Sequence, residues 1–464
     1  GKKFELPKVA QEIDAALDGR IREHLDATGF TAKPGSVAMV ASGEKLAARS
    51  VAVAGIGSRS ELSTWTLRRV GGGVARRLSS SSTIASLLHC ELQDGEGIAA
   101  SIEGLALGNY RTTNFKSKPA SASTESIVVL DASRDDVARG QAIVQAVALA
   151  RDLTNAPART LPPQELAERA RAVADDAGLA CDIYDESKLK KLGCGGILGV
   201  AAGSSQPPRL IRLHYKPRKA RGKIVLAGKG VTFDAGGLSI KTAAGMEQMK
   251  TDKAGAAAVI ATMGALKKLK ISVEVIGLVP AAENMLGPSA IKPGDVITHY
   301  GGKTDEVLNT DAEGRLLLAD VLALGSEEKP DALVDIATLT GSMIVALGDG
   351  ASGYFATHDG LASQIEAAAD ASGERFWRMP LYDDYDKEID SEIADVRNIG
   401  RAAYGKAIHA ALFLRRFVGP DIPWAHLDIA GPARSESDHD ETPRGPTGVG
   451  TRTLIRWLEG RSGA

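Results

Sequence analysis

The chain has 464 residues, 44% hydrophobic and 25% charged, with 51 glycines and three cysteines. It is long enough for two or three domains, too apolar for disorder, and too poor in cysteine for a disulfide scaffold. The 56 Lys and Arg against 58 Asp and Glu give a net charge of −2, which offers no global drive toward nucleic acid or an anionic membrane.

The amino-terminal GKKFELPKVAQEIDAAL has no apolar core of the kind a signal peptide carries, and no stretch approaches ~20 consecutive apolar residues. Cys90, Cys181 and Cys194 form no CxxC. A cytoplasmic protein is the expectation. The apolar runs 36–43, 51–57 and 126–133 predict buried strands of a small α/β domain. The serine run Ser79–Ser82 and the stretch KSKPASASTES (116–126) between them predict surface loops. Residues 135–153 space their apolar side chains helically and run into TNAPARTLPP, a proline-punctuated stop that predicts a linker helix.

Further on, predicted strands at 223–228, 273–280, 332–339 and 424–431 alternate with predicted helices at 254–270, 314–328, 360–372 and 447–460. Such alternation implies helices on both faces of a parallel sheet. The expected architecture is α/β: a small N-terminal α/β domain (1–134), a linker helix and connection (135–160), and a larger C-terminal α/β domain (161–464) with a mixed, largely parallel sheet flanked by helices.

Several familiar sites fail on spacing. KLGCGGILGVAAG (191–203) puts Leu198 where a dinucleotide loop needs its third glycine. GKIVLAGKGVT (222–232) has Val231 where a P-loop needs its lysine. None of the eight histidines begins an HExxH, and there is no GxSxG. Chemistry must then come from carboxylates, lysines and arginines, and two segments concentrate them. One, at 227–258, follows a predicted strand and carries Lys229, Asp234, Lys241 and Asp252 among glycines. The other, NTDAEGRLLLAD (309–320), places Asp311, Glu313 and Arg315 at every second position, on one face if the segment is extended before entering a helix. Taken singly, each residue fits an ordinary turn or solvated ion pair better than a site. Jointly, Asp234, Asp252, Asp311 and Glu313 make a cluster that could not ionise without cations, and two divalent ions would neutralise it.

NTDAEGRL (309–316) resembles the hallmark of the leucyl aminopeptidase family of dinuclear metallo-exopeptidases. The likeness extends to GKGVTFDAGGLSIK, to ENM and KPGDV within 283–296, to DIATLTG (335–341), ADVRNIG (394–400) and WAHLDIAG (424–431), and so covers roughly residues 150–464. The resemblance implies an exopeptidase that hydrolyses the N-terminal peptide bond with a two-metal-activated water. Asp234 and Glu313 would bridge two metals, Asp311 would complete one site, and Lys229 with Asp252 the other, Lys229 ligating only as the neutral amine. Lys241 would stabilise the oxyanion, and Arg315 would hold a bicarbonate acting as general base. Met249, Thr338 and Gly341 would line the pocket for the first side chain, although Met249 is nearly as well explained as core. The metals would be zinc or manganese foremost, with magnesium or cobalt compatible, and the assembly a homohexamer of two stacked trimers. Peptides with a free N-terminus would be the partners, with no membrane. His426 and Asp428 read as structural residues rather than ligands.

Two residues depart from the family pattern: Lys253, where an uncharged residue is usual, and Pro446, where Met or Ala is common. Two other classes stay open. A nucleic-acid-binding regulator is disfavoured by the near-neutral charge, and the basic stretch at 67–77 is too short to decide. A two-metal phosphoesterase could share the carboxylates but would need a phosphate clamp.

Overall fold

The computed structural model describes residues 4–92, 94–112, 115–118 and 124–463. Positions 119–123 of the predicted loop at 116–126 lie outside the described residues. The chain forms two compact units, residues 1–145 with 436–444, and residues 146–435 with 445–464.

In the first unit the three apolar runs form strands, but not the buried ones expected: among their strand residues only Val40 is buried, and Val128 is 43% exposed. Val37–Ala41 pairs antiparallel with Ser50–Ala54, and Ser126–Val129 pairs parallel with Thr83–Ser86. The serine run is the turn that enters Thr83–Ser86. Between the strands lie helices Thr64–Arg77 and Gly95–Gly108. Their glycines let the backbones approach: a Cβ on Gly104 would stand 2.3 Å from the Arg68 carbonyl oxygen. In the basic stretch at 67–77 one arginine is buried, while Arg69 and Arg77 are exposed. Arg68 is fully buried, with its Nε 2.7 Å from Glu103, and Arg69 pairs with Asp440 at 3.0 Å.

The second unit is built on one mixed sheet. Its strand order is Phe376–Arg378, Ser352–Ala356, Trp424–Asp428, Ala332–Ala337, Lys223–Gly228, Glu274–Asn284, Arg209–Tyr215 and Ala180–Tyr184, and Gly230–Asp234 also pairs with Glu274–Asn284. The central strands, from Trp424–Asp428 to Glu274–Asn284, run parallel, and antiparallel pairs lie outside them. Every residue of Ala332–Ala337 and Trp424–Asp428 is buried, as a strand covered on both faces requires. Helices occupy Ala254–Ala265, Gly314–Glu327, Asp359–Ser372 and Thr451–Ser462, where the sequence predicts them.

The glycines at 191–203 serve close packing. Helix Gly195–Ala201 comes so near that a Cβ on Gly196 would stand 2.1 Å from the Leu316 carbonyl oxygen. The stretch at 222–232 is two consecutive strands around Lys229, with no phosphate-cradling loop.

Behind the helix Gly314–Glu327 sits a buried polar knot. Asp320 accepts from the backbone N–H groups of Tyr300 (2.9 Å) and Ile197 (2.8 Å) and lies 3.0 Å from His299 Nδ1. On the other side of the ring, His299 Nε2 is 3.6 Å from Asp305. Burial opposes the imidazolium, but a carboxylate facing each nitrogen wins, and the His299 pKa rises to about 9. A histidine raised on folding contributes stability that is fully present below its unfolded value of ~6.5 and is lost as pH climbs through 9. The metal-free protein should therefore lose stability between about pH 6.5 and 9, with this group adding up to ~1.4 kcal/mol per pH unit. Denaturant melts of wild type and His299→Phe across that window check this: the variant should be less stable at pH 6, and an identical pH slope in the two would remove His299 as the cause.

Candidate metal centre

Four segments converge at the carboxyl ends of the central strands, the place where open α/β sheets bind ligands. Lys229 stands between strands Lys223–Gly228 and Gly230–Asp234, its N–H on the Ile336 carbonyl and its own carbonyl accepting from Ala256. Asp234 ends the second of those strands. Asp252 follows the short helical turn Met249–Thr251, and Asp311 and Glu313 precede helix Gly314–Glu327.

One oxygen from each of Asp234, Asp252 and Glu313 lies within 4.8 Å of the others, and all three residues are buried. Lys229 Nζ is 2.6 Å from Asp252 and 2.8 Å from Glu313, and it also donates to the Thr338 carbonyl at 2.9 Å. Lys241 Nζ is 2.7 Å from Asp234 and 2.5 Å from Asp311. The structure thus brings six of the sequence-predicted residues into one cluster of four carboxylates and two amines.

The segment at 309–315 is not extended, contrary to the alternation argument. The Asn309 side chain accepts from the Asp311 N–H and its carbonyl from Ala312, which makes a turn. Glu313 then has helical dihedrals, and Arg315 lies in the first helical turn. Asp311 and Glu313 consequently face different lysines. Arg315 is 6% exposed and donates to the Asn398 carbonyl at 2.6 Å, while its Nε has no hydrogen-bond partner among the described residues.

Burial pushes the Asp252 carboxyl well above the carboxylate range, Lys229 opposing and Glu313 and Asp234 adding to the rise. Burial and then Glu313 raise Asp234, and burial raises Asp311. Burial disfavours the Lys229 charge, yet Asp252, Glu313 and Asp234 hold the ammonium above the ordinary lysine range, and Lys241 is held up in the same way by Asp234 and Glu313. Burial brings Arg315 down to about 10. Four carboxylates facing two ammonium groups leave an excess of negative charge, and Asp252 Oδ2 has no hydrogen-bond partner among the described residues. Hard oxygen donors with one amine, short of positive charge, fit divalent cations.

Sequence reasoning missed the residues that hold this cluster in place. Asn284, inside the ENM motif, donates to Asp234 (2.8 Å) and to the Thr310 carbonyl (3.0 Å). Thr310 donates to the Gly236 carbonyl at 2.6 Å and accepts from the Ser239 N–H. Gly236 and Gly237 have φ of +88° and +63°, which lets the loop after Asp234 turn back toward Asp311. Asn398 accepts from the N–H groups of Leu308 and Asn309 and donates to the Asn309 carbonyl.

Among the expected pocket residues, Thr338 donates its hydroxyl to Asp252 at 2.8 Å, Met249 is half-buried, and a Cβ on Gly341 would meet nothing within 4 Å. Lys253 turns away from the carboxylates: its Nζ donates to the carbonyls of Ala156 and Lys250, and burial together with Lys250 lowers it to about 7. Pro446 sits in a two-residue ladder with Arg434–Ser435. His426 bonds Asp335 at 2.5 Å, and Asp428 accepts from Leu339, Thr340 and Ala430.

A mixed α/β unit with lysines and carboxylates gathered at its strand ends defines a metallohydrolase. Comparison with known proteins narrows the class. A model of the cytosol aminopeptidase family catalytic domain matches residues 148–455, and one of that family's N-terminal domain matches residues 2–119. A probable cytosol aminopeptidase of Corynebacterium diphtheriae is 42% identical over 453 residues, covering 96% of this chain and 89% of that protein. One of Mycobacterium tuberculosis is 44% identical over 464 residues, covering 97% and 88%. Among solved structures, the bottromycin maturation enzyme BotP in complex with Mn superposes with a TM-score of 0.89 at 39% identity, covering 94% of this chain and 96% of that one. A tomato leucine aminopeptidase variant gives 0.87 at 34%, covering 97% and 89%. The chain belongs to the cytosol aminopeptidase family. It is a metal-dependent aminopeptidase, an exopeptidase of the leucyl aminopeptidase type acting on peptides.

Gly314 has a specific part in the geometry. A Cβ there would stand 2.5–2.8 Å from Cε, Cδ and Nζ of Lys229, an amine already tied on two sides. Alanine otherwise suits a helix better than glycine by ~1 kcal/mol. Gly314→Ala should therefore keep the fold, displace Lys229, and cut bound metal and turnover together by tenfold or more; a metal count beside a thermal melt checks it, and wild-type metal content would show that Lys229 is free to move.

Proposed function

We propose that the protein releases N-terminal residues from peptides through a centre of two divalent ions, with Lys241 and an Arg315-held bicarbonate completing the machinery. The observation that carries this reading is the cluster itself, short of positive charge and with an unpartnered oxygen on Asp252. Asp234 and Glu313 would bridge the ions, Asp311 would complete one position, and Lys229 with Asp252 the other. Zinc or manganese is proposed first, magnesium or cobalt next. Two such ions supply Lewis acidity for the scissile carbonyl, an anchor for the free α-amine, and a water made nucleophilic at neutral pH.

The chain's own groups do the rest. Lys241 is free to donate to the carbonyl oxygen once its carboxylate partners turn to cations, so its charge stabilises the oxyanion. Arg315, held at one end by the Asn398 carbonyl, keeps its unpartnered Nε for an anion, and a bicarbonate there has the chemistry of a general base. Thr338 and Lys229 fix Asp252 from one side. Met249, Thr338 and Gly341 are proposed to line the pocket for the first side chain.

The proposed domains are 1–134, with 135–160 as linker and 161–464 as catalytic domain. A cytoplasmic homohexamer is also proposed. In its support, Trp377 (68% exposed) and Tyr404 (87%) leave apolar surface for an interface to cover, and the described cysteines are free. No helix among the described residues is long and apolar enough to cross a membrane.

Metal-stripped protein should be inactive on leucine p-nitroanilide and recover with added manganese or zinc at near two ions per chain. Glu313→Gln should lose ions and activity together, and full activity in that variant would sink the dinuclear reading. Lys241→Ala should retain its metal and lose kcat by about 10²–10³, as on removal of an oxyanion donor worth ~3–4 kcal/mol. An unchanged turnover number would exclude Lys241 from the reaction.

A further inference from the structure

Lys253 directly follows Asp252 and is wholly buried, yet it neither faces the carboxylates nor caps its own helix with a side-chain bond. It sits at the amino end of helix Ala254–Ala265, where the helix dipole disfavours a cation, and its burial strips an amine of water. Its Nζ donates two hydrogen bonds, to the Ala156 carbonyl at 2.9 Å and the Lys250 carbonyl at 2.5 Å, which offset part of these costs. Lys250 in turn donates to the Asn155 side chain at 3.0 Å. Two lysines on one turn thus grip two neighbouring residues, 155 and 156, at the end of helix Arg134–Asn155.

Residues 242–245 and Glu247 are exposed. Within the turn, Thr251 is tied to the Gln248 carbonyl by its N–H (3.0 Å) and its hydroxyl (2.8 Å), and the Asp252 N–H donates to the Met249 carbonyl at 3.3 Å; these local bonds shape the turn without fixing it to the rest of the unit. Asp252 is held at Oδ1 by Lys229 and the Thr338 hydroxyl, while Oδ2 has no hydrogen-bond partner among the described residues. Where Oδ2 lies therefore depends on where the turn lies.

We infer that Lys253 is a positioning residue: it clamps the turn that carries Asp252 onto residues 155–156 and so sets the unpartnered Asp252 oxygen for one of the two cations. The inference rests on the two-metal reading above. Without the clamp, Asp252 keeps its lysine and threonine partners but loses its fixed backbone, so one ion is weakened and the other is not.

The test is a manganese titration of the metal-free, full-length protein by calorimetry, wild type against Lys253→Met, with a melt of each metal-free sample. The expected result is two ions in the wild type and, in the variant, one ion weakened 10–100-fold, the usual cost of removing a group that orients a ligand, with the other unchanged. Equal affinities in the two proteins would overturn the clamp alone. Equal weakening of both ions with a lowered melt would make Lys253 a general stability residue and overturn it too. A wild type that takes up fewer than two ions overturns the two-metal reading, and the clamp with it. If Lys253→Met does not fold, Lys250→Met, which cuts the other tie of the same turn, carries the titration: selective weakening of one ion supports the clamp, and wild-type affinities overturn it.

Discussion

The structure depends on a shortage of positive charge. Four carboxylates meet two amines at the ends of the central strands, in a place where burial denies them water. Removing ions from water costs far more than a single hydrogen bond returns, so such a cluster persists only inside a frame that cannot relax. The surroundings supply that frame. Both oxygens of Asp234 are engaged, Oδ1 by Asn284 and the Gly236 N–H and Oδ2 by Lys241. Glycine at 314 leaves room for the Lys229 side chain.

The frame has two supports of different kinds. From the sheet side, Lys229 and Asp234 are fixed by strand hydrogen bonds and inherit the rigidity of a sheet buried on both faces. From the other side, Asp311, Glu313 and Arg315 ride on a turn and the first turn of a helix, held by side chains: Asn398 across the turn, Thr310 to the Gly236 loop, and the Asp320–His299 knot behind the helix. A carboxylate on a loop is only as well placed as the groups that hold the loop. The polar residues buried here, costly for stability, hold the loops that carry the clustered carboxylates.

Much of the fold was legible because it follows from period. Uninterrupted apolar runs such as ALVDIA and WAHLD are what a doubly covered strand requires, and the structure places them at the centre of the sheet. The helices at 64–77 and 95–108 fill the helix-like stretches between the first unit's strands; Val70, Val74, Ala75 and Leu105 pack between them, and glycine at their contact lets the backbones approach. Which residues gather at the cluster was legible from their joint pattern and from the family resemblance. How they gather was not. Alternation suggested one shared face for Asp311, Glu313 and Arg315, whereas a side-chain-closed turn at Asn309 splits them. Asn284, Thr310 and Asn398 look in sequence like any polar residue in a loop. Their importance lies in partners 26 to 90 residues away, which no local pattern encodes.

The same geometry ties ligand chemistry to proton chemistry. With amines as the counter-charges, Lys229 is held as an ammonium by Asp252 and Glu313, and an ammonium has no lone pair to give. If it is to ligate a cation it must first lose its proton, and the carboxylates that favour the charged form are those a cation would claim. Cation and proton therefore compete for one set of oxygens. On the proposed reading Lys241 would have no such exchange to make: it would turn from Asp234 and Asp311 still charged, and the two lysines would divide into a ligand and a charge donor by what surrounds each nitrogen.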